Sequence, residues 1–247
     1  MELRKLFYIW VSLFFVTTAP AQTQFESGKK AYEEEEYQNA SDLFLEHITA
    51  FPLDAEAFYN LGNAYYKQKK YPHAIWAYEK CLKIKPNHED ALFNVRMAYE
   101  KTGLSGEWKS NTGILYRLLF SSGKNFWAIL TLIFLIPLGV SLFYFFFATG
   151  AIRKRLALSG ISISLILALL TLGLSIWHYT YLTSEKYGIV TLATTNAKAS
   201  PSNSDKTLFS IPGGQRVKLI RENQEWVEIR LTQDNVGWVK KSEIQTY

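Results

Sequence analysis

Side chains able to do covalent or acid–base chemistry are few in this chain, and their spacing does not assemble them. Nucleophilic catalysis needs a nucleophile with a base inside hydrogen-bond reach, and proton transfer needs paired titratable groups. The chain has one cysteine and four histidines among its 247 residues. Cys81 lies in a segment where a small residue is expected to pack between helices rather than react, and alone it can form no intramolecular disulfide. His47, His73 and His88 stand singly and are expected to be structural or surface groups. The acidic run Glu33–Glu36 would need further ligands to hold a metal, and no histidine cluster supplies them; a solvated turn is expected. Gly213-Gly214 lacks the following helix that a phosphate-cradling loop requires. The residues therefore argue against an enzyme, a metal or a cofactor, and the question becomes what the chain holds.

The elements that would do the holding are announced by a repeat. Gly28, Ala40 and Pro52 recur as Gly62, Ala74 and Pro86, each 34 positions later, and Tyr37 and Phe44 recur as Tyr71 and Tyr78. A 34-residue period is the tetratricopeptide signature. The run Phe58-Tyr59-Asn60-Leu61-Gly62-Asn63-Ala64-Tyr65-Tyr66 is close to that family's consensus; the resemblance covers about 22–101, and the repeat domain is expected over 22–105. Each unit is expected to be a helix–turn–helix. Gly28 and Gly62 would let its first helix approach the second at Ala40 and Ala74, and Pro52 and Pro86 would end the second helix. A third unit begins with Asp90, Ala91, Leu92, Val95, Ala98 and Tyr99 and stops at Gly103. About three repeats are usually needed for a stable solenoid, so membrane packing or a partner is expected to support this short array.

The resemblance implies a concave groove lined by the first helix of each unit. Its positions here are Phe25, Lys29 and Tyr32, then Tyr59, Asn63, Tyr66 and Lys67, then Phe93 and Met97. Aromatic surface with amide and ammonium donors suits an extended peptide or a partner helix. The alternative is that Tyr59 and Tyr66 only pack along the groove wall. Some family members clamp a terminal carboxylate with lysine and asparagine; here Phe25, Tyr59 and Phe93 occupy the lysine position, which speaks against that specificity.

Residues 1–21 read as a secretory signal. Arg4 and Lys5 precede an apolar stretch from Leu6 to Val16, and Ala19-Pro20-Ala21 fits a small-x-small cleavage site; an uncleaved anchor is the competing reading. Two uncharged stretches, 126–149 and 156–182, are long enough to cross a bilayer. Trp127, Trp177, Tyr179 and Tyr181 suit the interfacial aromatic belt, and His178 is expected to be a polar group within it. The basic connection 150–155, with Arg153, Lys154 and Arg155, is expected to be cytoplasmic, which puts both soluble parts in the periplasm at the inner membrane. Residues 106–125 are expected to form an interfacial linker, with a partner-binding helix as the alternative. Residues 106–155 carry six basic residues and one acidic, so the net charge of +5 reflects membrane flanks. No clustered basic face is visible on a soluble part, and no nucleic acid is expected as a partner.

From Tyr187 the pattern changes to short alternating strands. Strands are expected over 188–193, 208–211, 217–220 and 226–229, with the last beginning at Gly237, and Pro212-Gly213-Gly214 forming a turn. The order of Gly213 or Gly214, Trp226, Gly237 and Trp238 resembles bacterial SH3-like domains, which implies a small all-β barrel over 187–247. Trp226 and Trp238 either form a ligand face or close the barrel's core. The fold class expected is thus a multi-domain membrane protein: all-α helical repeats, a two-helix transmembrane hairpin and a small SH3-like barrel. That order of parts resembles the BatE-like family of bacterial aerotolerance operons. The resemblance implies an envelope scaffold with protein partners, von Willebrand-type Bat proteins among them, and peptidoglycan as an alternative ligand of the barrel.

Overall fold

The computed structural model describes residues 19–104, 119, 123, 125–184, 186–231 and 235–247. They form two units: the repeats together with the C-terminal sheet, and residues 112–184. Most of the expected secretory signal and of the 106–125 linker lies outside the described residues.

Five helices build the repeats: α1 Ala19–Glu33, α2 Tyr37–Ala50, α3 Ala55–Lys67, α4 Tyr71–Ile84 and α5 Glu89–Lys101. The first helix of the array thus starts before residue 22, the expected boundary. The 34-residue period is visible in the backbone. Glu35, Lys69 and Gly103 all take left-handed φ values, of 62°, 61° and 78°. At each of these turns the next amide donates back to a carbonyl five residues earlier: Glu36 to Ala31 at 2.8 Å, Lys70 to Tyr65 at 2.9 Å and Leu104 to Tyr99 at 3.0 Å. This is the Schellman helix stop, made three times in register. The third unit therefore keeps its first helix and its turn. The helix starts have their own signals. Asp54 accepts from the amides of Glu56 and Ala57 at the start of α3, and the His88 ring accepts from Ala91 N–H at the start of α5.

Packing repeats too. A Cβ at Gly28 would meet the Phe44 ring at 2.8 Å, and one at Gly62 would meet the Tyr78 ring at 2.5 Å. The missing side chain is what lets paired helices close around these rings. Tyr32–Tyr37 and Tyr66–Tyr71 form matching edge-on pairs, each with centroids 5.3 Å apart. Phe44, Leu61, Ile75, Tyr78 and Val95 are fully buried; each such side chain contributes about 1.5–3 kcal/mol. Cys81 is among the buried residues, and burial pushes its thiol far above the ordinary range, as its packing position implied. Glu33–Glu36 is an exposed turn.

The C-terminal part is one antiparallel sheet: β1 Tyr187–Val190, β2 Thr194–Lys198, β3 Thr207–Pro212, β4 Arg216–Asn223, β5 Trp226–Arg230, β6 Val236–Lys240 and β7 Ile244–Thr246, in the order β3-β2-β6-β5-β4-β1-β7. All seven strands send a residue into one core: Val190, Ala197, Ile211, Val217, Val227, Ile229, Val239 and Ile244. Two expectations are corrected. The strand expected over 188–193 ends at Val190, because Val190 and Ala193 accept from Gly214 and Gly213 and the chain bends to receive that turn. The strands β2 and β7 were not legible: Thr194–Lys198 is polar at four of its five positions, and Ile244–Thr246 is only three residues long.

The sheet and the repeats share an interface. The Trp76 indole of α4 donates to the Thr246 carbonyl of β7 at 2.9 Å. Glu79, buried on the same helix, accepts from the Tyr99 hydroxyl at 3.3 Å and faces Arg216 Nη1 at 3.9 Å. Gly214 at the β3–β4 turn lies within about 3 Å, by its absent Cβ, of Ile75 and Thr102.

The second unit is a helix pair, α6 Phe126–Phe147 and α7 Ala151–Thr183. Both are long and apolar enough to cross a membrane, with mean hydropathies of 2.4 and 2.2 over their most apolar stretches. Their contact is made by small and hydroxylated residues: Thr131 Oγ1 donates to Thr171 Oγ1 at 3.0 Å, and Ala157, Ser164 and Ala168 are buried. Small residues let two helices approach closely where no aqueous driving force exists. The connection expected over 150–155 shrinks to Ala148–Gly150. Gly150, at φ 100°, makes the turn, and nothing in Ala151–Arg155 opposes helix, so Arg153, Lys154 and Arg155 lie in the first turns of α7.

Candidate functional site

The inner helices α1, α3 and α5 converge with α4 on a cavity of about 240 Å³, lined by Tyr32, Asn63, Tyr66, Lys67, Tyr78, Phe93, Asn94 and Met97. Six of the nine expected groove residues are thus brought together: Tyr32, Asn63, Tyr66, Lys67, Phe93 and Met97. Phe93 is 64% exposed, an unusual state for a phenylalanine on a packed helix. At the cavity floor the Tyr78 hydroxyl donates to Asn63 Oδ1 at 2.7 Å, and Asn94 Nδ2 donates to the same oxygen at 2.9 Å. With its oxygen so engaged, Asn63 presents its amide N–H groups, and Asn94 its oxygen, to whatever enters. Burial raises the Tyr32 phenol pKa and raises that of Tyr78 much further, so both stay protonated donors.

Three expected residues lie elsewhere. Phe25 packs on Phe44 and His47, with centroids 5.9 and 5.3 Å away. Lys29 pairs with Glu26 at 2.9 Å on its own helix and lies over the Phe25 ring. Tyr59 packs between Tyr78 and His88, at 6.2 and 4.7 Å. The two tyrosines therefore divide: Tyr66 lines the cavity, while Tyr59 is a wall residue. Tyr78 and Asn94 were missed. The signal for Tyr78 was its register with Phe44, a repeat pair in which the second copy gains a hydroxyl.

Both tryptophans of the sheet sit on its outer face. Trp226 pairs across strands with Lys240, and Trp238 with Glu228, while the intervening Val227 and Val239 point into the core. Trp238 is nevertheless only 7% exposed, because the Arg221 guanidinium lies over it at 5.2 Å while bridging to Glu228 at 2.8 Å. Trp226 is half-buried, with the Lys240 ammonium 5.8 Å from its ring.

A second cavity, of about 370 Å³, opens where the sheet meets α5. Its lining includes Tyr99, Tyr187, Gln215, Arg216, Lys218 and Arg230. Contrary to expectation, basic residues do cluster on the C-terminal sheet. Alternate positions of β4 and their cross-strand neighbour on β5 share one face, a grouping that linear charge counts do not show.

Residues 55–88 match the family described as Tetratricopeptide repeat. They are the second unit, α3 with α4 up to the cap of α5, and the first unit makes the same contacts 34 residues earlier. The chain carries a tetratricopeptide repeat at residues 55–88. No curated protein matches it. Among 33 matching chains of solved structures is one titled "CopN-Scc3 complex", with 17% identity and a TM-score of 0.26 over 45% of this chain and 71% of that one.

Proposed function

We propose that this chain is a membrane-anchored scaffold that takes a protein partner in its repeat groove. The observation that carries the proposal is the open cavity with Phe93 exposed at its rim and the Asn63–Asn94 pair on its floor. Its volume, about 240 Å³, falls below the ~300–1,000 Å³ usual for small-molecule sites. It suits one anchoring side chain of a peptide or helix, with the amide pair positioned for the neighbouring backbone. Capture of envelope proteins by the full-length chain tests this. A Tyr66→Ala/Phe93→Ala variant should lose the captured protein and keep its helicity; undiminished capture would sink the groove as the binding surface.

The joined repeats and sheet also bear on location. The segments before and after the apolar helix pair pack as one body, through Trp76 and Glu79. Both must then lie on the same side of any membrane the pair crosses. With Arg153, Lys154 and Arg155 at the opposite end, the positive-inside bias favours the periplasm of a bacterial inner membrane for both. The order of parts supports a place in a Bat-type aerotolerance complex, with von Willebrand-type Bat proteins as candidate partners. A second reading, wall-peptide binding by an SH3-like sheet, is favoured by Trp226 and Trp238 sharing one outer face. Sedimentation of the full-length protein with purified cell wall, against a Trp226→Ala variant, separates it from the groove reading.

A further inference from the structure

We infer that the cleft between the sheet and α5 is a binding site for a phosphate-type oxyanion. Three cations line it, and among the described residues no acidic one does. Arg216 is already balanced: it faces the buried Glu79 carboxylate at 3.9 Å and lies against the Tyr187 ring at 5.9 Å. Lys218 and Arg230 are not balanced. They stand directly opposite each other on β4 and β5, both exposed, and among the described residues neither reaches a carboxylate. Like charges in directly opposed cross-strand positions repel and weaken a sheet. An anion between them turns that repulsion into two charge-assisted contacts.

The donors also define the ligand. A lysine ammonium, an arginine fork, the Gln215 amide and the Tyr187 hydroxyl offer more N–H and O–H groups than the two oxygens of a carboxylate can use. A phosphoryl group, with three or more acceptor oxygens, uses them better. At about 370 Å³ the cleft is larger than a bare phosphate needs, so it takes a phosphate ester. That chemistry is carried by soluble phosphoesters and by anionic lipid headgroups alike. The cleft shares no residue with the repeat groove and does not depend on it.

The test uses the full-length protein in nanodiscs of uncharged lipid. Thermal unfolding is followed with increasing inorganic phosphate or glycerol phosphate, against chloride at matched ionic strength, and again in nanodiscs doped with phosphatidylglycerol. A Lys218→Gln/Arg230→Gln variant is compared with Lys30→Gln/Lys206→Gln, which removes the same charge elsewhere. Stabilisation by soluble phosphate that requires about tenfold or more ligand in the first variant, and is kept in the second, supports a soluble phosphoester. Stabilisation seen only with the anionic lipid, and lost in the first variant alone, supports a headgroup. In the absence of anion the first variant should melt at or above the wild-type temperature, because its repulsion is gone. Equal responses in all three proteins, or none, overturn the inference.

Discussion

Gly62 shows most directly how one residue decides this fold. Its absent Cβ leaves room for the Tyr78 ring, which in turn brings its hydroxyl to Asn63. Alanine there would ordinarily gain about 1 kcal/mol of helix propensity, but the ring must move by more than a flexible side chain allows. We expect Gly62→Ala to destabilise by about 1–3 kcal/mol, and Gly28→Ala by less because its ring stands farther off; denaturant unfolding monitored by circular dichroism measures both. Phe93→Ala should do the reverse, changing stability by under about 0.5 kcal/mol while weakening partner capture, since an exposed ring has little burial to lose. The buried tyrosines add a pH dependence. Burial pushes the Tyr65 phenol up to about 12, and the Asp42 carboxylate adds to the rise. A raised phenol leaves stability intact below its unfolded value near 10 and subtracts from it as pH climbs toward the folded value. Tyr65→Phe should therefore flatten the alkaline fall in stability by about 1–2 kcal/mol between pH 10 and 12.

At the scale of elements, α4 does two jobs on opposite faces. Tyr78 lines the groove, while Trp76 and Glu79 hold the sheet. Removing the Trp76 side chain deletes a buried ring and the donor to Thr246, and Trp76→Ala is expected to cost about 3–5 kcal/mol. Glu79→Gln removes the carboxylate that Arg216 faces in a largely buried site, at a cost of about 3 kcal/mol, whereas replacing both partners by apolar residues should recover much of it. A double-mutant cycle at Glu79 and Arg216 measures that recovery, and additive losses would show that the pair does not interact. The hairpin's elements depend on small residues instead. Its seam of Thr131, Ser164, Ala168 and Thr171 reads in the sequence only as interruptions in apolar stretches; pairing α6 with α7 makes it a contact surface.

For the whole molecule, the shared interface turns a string of parts into a topological constraint. Residues 19–101 and 187–247 flank the apolar pair yet fold against each other. Single cysteines at exposed Gln38 and Asn203, in a Cys81→Ser background, should react with a membrane-impermeant thiol reagent from the same side of intact cells, and one at Arg153 from the other. Labelling of Gln38 and Asn203 from opposite sides would break the joined unit.

The repeats were legible because their information is local. A glycine, an alanine and a proline at fixed offsets dictate close approach, packing and a helix stop within 34 residues, and of the nine positions that the family resemblance implied for a groove, six line one cavity. The apolar spans were legible for the same reason, since composition alone sets whether a helix can cross a bilayer. Tertiary structure decided the rest. Phe25 and Tyr59 left the groove because neighbouring rings offered them a packed site. Tyr78 and Asn94 entered it because α4 and α5 meet Asn63 there. The cationic cleft exists because pairing sets Lys218 opposite Arg230 and docking brings Tyr99 of α5, more than 100 positions earlier in the chain, beside them; no local pattern encodes that docking.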